Sequence, residues 1–309
     1  MSTLRRRLAY ALDRRFAAVH ARLDEISDRL ERIESVSVAQ AERGEETRRA
    51  LGGLSARIDE ELAPALRLMA ADDGGARRRL DAARLFPDYA LAYEEPEPLV
   101  TVIIPTVGRS DLLAERALPS VLAQTHARIE VLVIGDAAGP DTAAALERLD
   151  DPRIEYVNLT QRYEYPDEHR HWLAATTLAR NEGYRRARGH WLFDADDDDR
   201  VPEDAIERLL AHAREQRLEA VQGRIREHLP DGGSRPIVAT VTQLPLKGAV
   251  VHAHLRFFDR EHVASAFGVP GDWFRGERMV RAGVRIGFVD WVTYEYYPSS
   301  LWGADGRAT

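Results

Sequence analysis

The chain has 309 residues, of which 44% are hydrophobic, and its formal net charge is −8. That length suits one domain of about 200 residues with an appendage, and the negative charge disfavours a nucleic-acid-binding role. Cysteine is absent, which excludes disulfides and thiolate metal sites. With no signal peptide and no apolar run of bilayer length, we expect a cytoplasmic protein, or one peripheral to the inner face of the membrane.

Residues 1–70 are predicted to form a helical oligomerisation region. Apolar residues alternate spacings of three and four in the first part, at Phe16, Val19, Leu23, Ile26, Leu30 and Ile33. This is the a/d seam of a coiled coil, expected over about residues 8–40 and followed by a break and a second helix to about residue 69. We therefore expect a homo-oligomer, most simply a parallel dimer. A helix pair packed on its own C-terminal domain and a helix lying on an anionic membrane are the alternatives.

Residues 71–98 are predicted to be a linker. Asp72-Asp73-Gly74-Gly75 is expected to end the second helix, and the acidic, proline-rich stretch Glu94–Pro98 indicates a boundary. Residues 99–309 then form the main domain.

The main domain begins with a continuous apolar run, Leu99–Ile104, as in a buried parallel strand. Further strands are predicted at 129–134, 154–157, 191–193, 221–225, 237–242 and 250–258. Helices are predicted at 110–124, 141–149, 171–188 and 203–214. Strands that alternate with helices predict an α/β domain with a mostly parallel mixed sheet covered on both faces.

An acidic run follows the predicted strand at 191–193. Five carboxylates fall within six positions, at Asp194, Asp196, Asp197, Asp198 and Asp199. So many like charges are costly unless a cation offsets them, and Mg²⁺ and Mn²⁺ bind carboxylate oxygens together with substrate phosphates. Ligands of open α/β sheets lie beyond the carboxyl ends of the strands, which is where this run is expected. The alternative is a solvated acidic turn that caps the next helix.

Five short blocks occur in order along residues 99–300. They are Val102-Ile-Ile-Pro105-Thr106 with Arg109, Ser120–Thr125, Ala179-Arg180-Asn181-Glu-Gly183, Phe193-Asp194-Ala-Asp196-Asp197 and Gly271-Asp272-Trp273. The ordered set resembles glycosyltransferase family 2, whose members are inverting enzymes with the GT-A fold, a Rossmann-like nucleotide-sugar-binding domain. The first 98 residues lie outside the resemblance.

The resemblance implies an enzyme that moves a sugar from a nucleoside-diphosphate donor, with UDP-sugars favoured, to a hydroxyl of a glycan or lipid-linked acceptor. Cell-surface glycan or glycoconjugate synthesis is the implied setting. It also implies that Asp196 binds the divalent cation, Mn²⁺ or Mg²⁺, and that Asp272 is the general base. The residues it implies for donor binding are Pro105, Thr106, Arg109, Asp136, Arg180, Asn181 and Asp194. Of these, Asp136 would hold a pyrimidine base, and Asp194 the ribose or the water shell of the metal.

Two departures from the family pattern stand out. The family often has two acids after the second strand, whereas the first of them is Gly135 here. Many members also have a histidine near the C-terminal end, where this chain has Tyr294–Pro298, and this puts a metal ligand from that stretch in doubt.

Two other functions are considered for the chain. A sugar nucleotidyltransferase would usually carry a glycine-rich phosphate loop after the first strand, which Pro105–Ser110 matches poorly. A non-catalytic coiled-coil scaffold with a degenerate GT-A domain is the other alternative, and the retained acids argue against it.

Overall fold

The computed structural model describes residues 22, 25–29, 44–58, 63–162, 171–240 and 243–298. The chain divides into two compact units, Met1–Asp72 and Asp73–Thr309. Helix α1 covers Gly44–Arg57 in the first unit. Most of the predicted coiled coil, residues 8–40, lies outside the described residues and stays a prediction. Within the described part of the chain, every helix is too short or too polar to cross a bilayer.

The second unit is built on an eight-stranded sheet in the order β3-β2-β1-β4-β7-β5-β6, with β8 beside β5. The strands are β1 (Val100–Thr106), β2 (Ile129–Gly135), β3 (Ile154–Asn158), β4 (Trp191–Asp194), β5 (Ala220–His228), β6 (Ser234–Ile237), β7 (Ala249–His252) and β8 (Ile286–Tyr296). β1 pairs in parallel with β2 and β4, as do β2 with β3 and β5 with β8. β7 joins β4 to β5 in antiparallel fashion, and β6 is antiparallel to β5. The mixed α/β sheet that the sequence predicts is confirmed.

Helices connect and cover these strands. They are α2 (Ala63–Ala83), α3 (Leu91–Glu94), α4 (Ser110–Leu112), a π-helical turn (Leu113–Ala117), α5 (Leu118–Leu122), α6 (Pro140–Leu149), α7 (His171–Ala174), α8 (Thr177–Arg186), α9 (Ala205–Glu215), two 3₁₀ helices (Ala253–Leu255 and His262–Phe267) and α10 (Gly271–Ala282).

Side chains of β1 alternate between two apolar cores, one on each face of the sheet. Val102 and Ile104 lie in the core that also contains Leu209 of α9. Ile103 lies in the other core, together with Ala179 of α8 and Met279 of α10. Alternation along a strand combined with burial on both sides explains why β1 is apolar throughout, and it places the strand ends between two layers of helices.

The structure differs from the predicted elements in several places. The helix expected over 171–188 is divided at Thr176, whose φ of 60° is incompatible with a continuing right-handed helix. The strand expected over 250–258 ends at His252, where a 3₁₀ helix begins. β8 was not predicted, because most of its residues are half-buried and its polar and apolar residues do not alternate cleanly.

The predicted linker is wrong, since residues 73–98 belong to the second unit. α2 continues through Asp72–Gly75, although each glycine costs a helix about 1 kcal/mol relative to alanine. Ala76, Leu80 and Ala83, spaced by four and three residues, are buried in the second unit. Burial of this stripe stabilises the helix beyond its intrinsic propensity.

Glu219, which directly precedes β5, anchors this segment and is fully buried. Arg84 donates from Nε at 2.7 Å and from Nη2 at 2.8 Å to the two carboxylate oxygens, and the Tyr89 hydroxyl donates to the same group. The backbone N–H of Arg285 also donates to it, at 2.7 Å. Burial opposes ionisation, but these donors hold the pKa of Glu219 below its ordinary value of 4.5.

Replacing Arg84 with methionine should lower the free energy of unfolding by roughly 3 kcal/mol, because Glu219 would stay buried without its main cation. The exposed Arg78 on the same helix is the matched control, and Arg78→Met should cost less than about 0.5 kcal/mol. A depressed folded pKa stabilises the fold above the unfolded pKa, so the Arg84 effect should be full above pH 4.5 and shrink as acid protonates Glu219. Chemical denaturation at several pH values measures this, and equal losses in the two variants would contradict the anchoring role.

Candidate active site

The acidic run begins at the end of β4, beside the carboxyl end of β1. Asp194 lies in register with Ile103 of β1, and the backbone N–H of Asp136, which follows β2, donates to the Thr106 carbonyl at 2.8 Å. Pro105 and Thr106 are the last two residues of β1. Because these strands are parallel, their ends bring four of the predicted site residues to one edge of the sheet.

Asp194 is enclosed by basic and hydroxyl groups. Tyr184 donates from its hydroxyl to Oδ2 at 2.5 Å, and Arg260 donates from Nη2 to the same oxygen at 3.3 Å. Arg180 lies 3.8 Å from Oδ1 and Arg275 3.6 Å from Oδ2. Burial alone would favour the neutral acid, but the three arginines lower the pKa of Asp194. Its carboxylate therefore holds the surrounding cations together, and its predicted contact with the donor stays a prediction.

Asp196 lies between two cations, Arg180 and Lys247, and forms an ion pair with each. Its backbone N–H donates to the Tyr294 hydroxyl at 2.7 Å. Burial raises the pKa of a carboxyl, yet Lys247 and Arg180 hold the pKa of Asp196 below its ordinary value. Burial alone would lower the pKa of Lys247, but Asp196, Asp199 and Asp272 outweigh burial and raise it. The ammonium of Lys247 is therefore charged at neutral pH.

Arg109 bridges the next two acids of the run. One Nη nitrogen pairs with Asp197 and the other with Asp198, and Arg116 donates to the Asp198 carbonyl at 2.8 Å. Burial nevertheless raises the pKa of Asp197 and raises the pKa of Asp198 to about 6. The position of Arg109 before α4 thus ties the loop after β1 to the loop after β4.

Asp199 completes a group of oxygens that can bind a cation. Its Oδ1 accepts from the Tyr297 N–H at 2.7 Å, while its buried Oδ2 has no hydrogen-bond partner among the described residues. Burial raises the pKa of Asp199 well above its ordinary value. Carboxylate oxygens of Asp196, Asp198 and Asp199 lie within 4.8 Å of one another. Three hard oxygens, one without a partner, fit Mg²⁺ or Mn²⁺.

The stretch Tyr294–Pro298 has tyrosines where many members of the family that the chain resembles have a histidine. The hydroxyl of Tyr294 accepts from Asp196, the ring of Tyr296 lies 4.8 Å from Lys247 Nζ, and the backbone of Tyr297 donates to Asp199. This end of β8 therefore supports the acidic run through hydroxyl, ring and backbone contacts.

Asp136 lies on the other side of the strand ends and is buried. Its Oδ1 has no hydrogen-bond partner among the described residues, and Arg162 lies 3.9 Å from Oδ2. Burial raises the pKa of Asp136, with Arg162 opposing the shift. A buried carboxylate oxygen without a partner, at a strand end, suits a group that hydrogen-bonds a ligand.

The turn after β2 is fixed by Asn158 of β3. The Asn158 amide accepts from the N–H of Ala138 at 2.9 Å and donates to the Ala138 carbonyl at 2.8 Å. A Cβ at Gly135 would lie 3.0 Å from Asn158 Cγ and 2.8 Å from the Tyr156 hydroxyl. Glycine at 135, the first departure from the family pattern, therefore packs closely against the side chains of the neighbouring strand.

Asn181 does not contact the acidic run directly. Both groups of its amide bind the backbone of Arg260, donating at 2.9 Å and accepting at 2.8 Å. Arg260 in turn contacts Asp194. Asn181 therefore holds the backbone of Arg260 in place, and its predicted contact with the donor stays a prediction.

Asp272 lies in the first turn of α10, after Pro270, and is buried. Its Oδ1 accepts from the N–H of Trp273 at 2.9 Å. The charge of Asp272 contributes to the raised pKa of both Lys247 and Arg260. The predicted base therefore lies near the cations that contact the acidic run.

Sequence reasoning missed the partners that enclose the run. These are Tyr184, Lys247, Arg260, Arg275 and Tyr294. Among the 43 basic residues of the chain, Lys247 is the only lysine. That composition was the signal available in the sequence, because arginine is otherwise the basic residue throughout the chain.

Comparison with known proteins gives a consistent result. The family model described as Glycosyl transferase family 2 matches residues 101–265. The succinoglycan biosynthesis protein ExoO of Rhizobium meliloti is 32% identical over 116 residues, which are 38% of this chain and 30% of that protein. The GalNAc(5)-diNAcBac-PP-undecaprenol beta-1,3-glucosyltransferase of Campylobacter jejuni is 32% identical over 120 residues, which are 38% of this chain and 35% of that protein.

A third relative is the putative teichuronic acid biosynthesis glycosyltransferase TuaG of Bacillus subtilis, 29% identical over 116 residues, 37% of this chain and 41% of that protein. The matched parts thus span 30–41% of the length of these relatives. Among solved structures, S. aureus TarS 1–349 in complex with UDP-GlcNAc has a TM-score of 0.53 at 16% identity, covering 65% of this chain and 59% of that one. This likeness confirms the predicted GT-A fold.

The protonation of Asp198 yields a prediction about stability. Its folded pKa of about 6 exceeds the ordinary 3.8, so the resulting stabilisation is complete below pH 3.8 and is lost as the pH rises through about 6. Asp198→Asn, which cannot ionise, should exceed the wild type in free energy of unfolding by roughly 1–3 kcal/mol at pH 7.5 in EDTA, and by little at pH 4. Urea denaturation at both pH values measures this. The exposed Asp204→Asn should show no such gain, and a destabilised Asp198→Asn at pH 7.5 would contradict the assignment.

Proposed function

The chain belongs to glycosyl transferase family 2, and on that premise we propose that it transfers a sugar, with inversion, from a nucleoside-diphosphate donor to an acceptor hydroxyl. The observation that carries the proposal is that Asp136 and the acidic run meet at one edge of the sheet, with Asp272 near Lys247 and Arg260, which pair with acids of the run. A carboxylate oxygen without a hydrogen-bond partner, a group of carboxylates that can hold a cation and a candidate base are the groups that this reaction needs.

The divalent cation, Mn²⁺ or Mg²⁺, is assigned to Asp196 together with Asp198 and Asp199. The support is the 4.8 Å grouping of their oxygens and the unpartnered Oδ2 of Asp199. When bound, such a cation neutralises the negative charge that builds on the departing diphosphate.

The donor is proposed to lie along the ends of β1, β2 and β4. Asp136 would accept a hydrogen bond from the nucleobase, and Pro105 and Thr106 would line the pocket. Arg109 and Arg180 pair with acids of the run and orient them, while Asp194 is proposed to act on the ribose side. UDP-sugars are the first donors to test, since the fold is shared with TarS, which has been crystallised with UDP-GlcNAc.

Asp272 is proposed to take the proton of the acceptor hydroxyl as the oxygen attacks the anomeric carbon. Single displacement inverts that carbon and requires one base on the acceptor side. Asp272 lies at the N-terminal end of α10, near the cations of Lys247 and Arg260.

The setting proposed is cell-surface glycan or glycoconjugate synthesis, and the acceptor is a glycan or a lipid-linked saccharide. The support comes from the relatives named for succinoglycan and teichuronic acid biosynthesis and for an undecaprenol-linked substrate. A cytoplasmic position, or a peripheral one at the inner face of the membrane, fits that acceptor. Assembly into a homo-oligomer through residues 1–70 stays part of this proposal.

The two other functions are less well supported. Family membership favours glycosyl transfer over nucleotidyl transfer. A degenerate scaffold would have no need to keep Asp136 and Asp199 buried with unpartnered oxygens.

Asp196→Asn should abolish Mn²⁺-dependent binding of the nucleotide sugar, because it removes a charged ligand between Asp194 and Asp198. A thermal-shift screen of nucleotide sugars with and without Mn²⁺ first identifies the donor. Calorimetry should then show donor affinity falling on the order of 100-fold or more in the presence of Mn²⁺. Asp141→Asn, an exposed acid in α6, should bind like the wild type. Wild-type affinity in Asp196→Asn would exclude this residue as a ligand.

Asp272→Asn should keep donor affinity and lose transfer by on the order of 10²-fold or more, the usual effect of a missing general base. Single-turnover transfer and donor calorimetry on the same preparation separate these effects. The exposed Asp290→Asn on β8 serves as control. Near-normal transfer by Asp272→Asn would remove this residue from the role of base.

A further inference from the structure

Lys247 has a specially built backbone setting at the acidic run. It forms a β-bridge with Asp194, and Gly248 donates from its N–H to the Asp194 carbonyl at 3.0 Å. Gln222 fixes the other side by donating to the Lys247 carbonyl at 2.8 Å. The lysine is therefore attached to the end of β4 independently of its side chain.

The residues on either side of Lys247 adopt left-handed conformations. Leu246 has φ 57° and Gly248 has φ 61°, a region that non-glycine residues rarely adopt. A Cβ at Gly248 would lie 2.5 Å from Cβ of Tyr294. Backbone strain of this kind persists where the surroundings enforce it, and it clusters at ligand-binding sites.

The Lys247 side chain differs from the other cations at the run. Arg180 is almost completely buried and serves both Asp194 and Asp196, and Arg109 is fixed by its fork between two acids. Lys247 retains 22% side-chain exposure, and its Nζ pairs with Asp196 and lies 4.0 Å from Asp199 Oδ2. An ammonium on a flexible four-carbon chain can exchange partners in a way that a forked guanidinium cannot.

Asp196 would keep a cation if Lys247 moved away, since Arg180 also pairs with it. Lys247, in contrast, would lose both of its paired acids to the divalent cation, since Asp196 and Asp199 are both assigned to it. A divalent cation on Asp196 and Asp199 would repel the ammonium. The anion that the proposed reaction brings to this place is the diphosphate of the donor.

We propose that Lys247 is a diphosphate-binding residue that occupies Asp196 in the free enzyme and transfers its ammonium to the donor's phosphate oxygens on binding. The inference rests on the proposed function and adds to it a coupling between the binding of the divalent cation and the binding of the donor. In the free enzyme Lys247 competes with the divalent cation for Asp196, and with the donor present it ceases to compete. Cation and nucleoside diphosphate therefore bind cooperatively.

The test uses the full chain with UDP, GDP, UMP, GMP and Mn²⁺ as probes, followed by calorimetry. Lys247→Met should bind the preferred nucleoside diphosphate about tenfold or more weakly in EDTA, since a charge-assisted hydrogen bond is lost. Its affinity for the monophosphate should change by less than about threefold. Without nucleotide, Lys247→Met should bind Mn²⁺ about tenfold more tightly than the wild type, because an ammonium no longer opposes the cation.

Arg208→Met is the matched control, since it removes one positive charge from α9 away from the site. Its Mn²⁺ and nucleotide affinities should equal those of the wild type. If wild-type protein binds diphosphates and Lys247→Met binds diphosphate and Mn²⁺ equally well, the role of Lys247 is overturned and the proposed function stands. If the wild type binds no nucleoside diphosphate with or without Mn²⁺, the proposed function fails and the coupling fails with it.

A second readout needs no substitution, because the chain has one lysine. Wild-type protein labelled with [ζ-¹⁵N]lysine should give a single Nζ resonance. The proposal requires this resonance to shift on addition of the diphosphate and to stay in place with the monophosphate. Equal shifts with both nucleotides, or no shift with a bound diphosphate, would overturn it.

Discussion

Charge compensation around the acidic run is the interaction on which the arrangement of the second unit depends. Buried charges are tolerated only when they are paired and hydrogen-bonded, and removal of one partner leaves the other uncompensated. The cations that meet the run come from five separate segments, namely Arg109 before α4, Arg180 on α8, Lys247 before β7, Arg260 between the 3₁₀ helices and Arg275 on α10. The run therefore specifies how helices from both halves of the domain approach the end of β4.

The negative charges of the five aspartates are compensated to different extents along the run. The pKa values of Asp194 and Asp196 are lowered by their cations, whereas burial raises those of Asp197, Asp198 and Asp199. The cations of the protein thus outweigh burial at Asp194 and Asp196, whereas burial outweighs them at the last three acids, although Arg109 pairs with Asp197 and Asp198. This imbalance is consistent with the proposed cation site, because a bound cation would offset the carboxylates that burial disfavours.

The sequence was sufficient to predict the part of the site at the ends of β1, β2 and β4. It was not sufficient to predict the part formed by Lys247 and β8. The apolar runs before Pro105 and Asp194 predicted parallel strands, and the geometry of a parallel sheet then required Thr106, Asp136 and Asp194 to meet. Lys247 could not be placed in the same way, because its neighbours in space are set by an antiparallel pairing between β4 and β7. β8 escaped prediction for a related reason, since its half-buried residues lack a clear alternation. Local propensity also failed at Asp72–Gly75, where the burial of Leu80 kept the helix continuous.

The packing of Gly135 against Asn158 has a consequence for how this pocket can change over evolutionary time. A side chain at 135 would overlap the Asn158 amide, and a smaller residue at 158 would release the backbone of Ala138 that this amide holds. A larger residue at 135 would therefore require the side chain at 158 to move, so the two positions are coupled across neighbouring strands. A change at either position would therefore alter the turn after β2, which begins with Asp136.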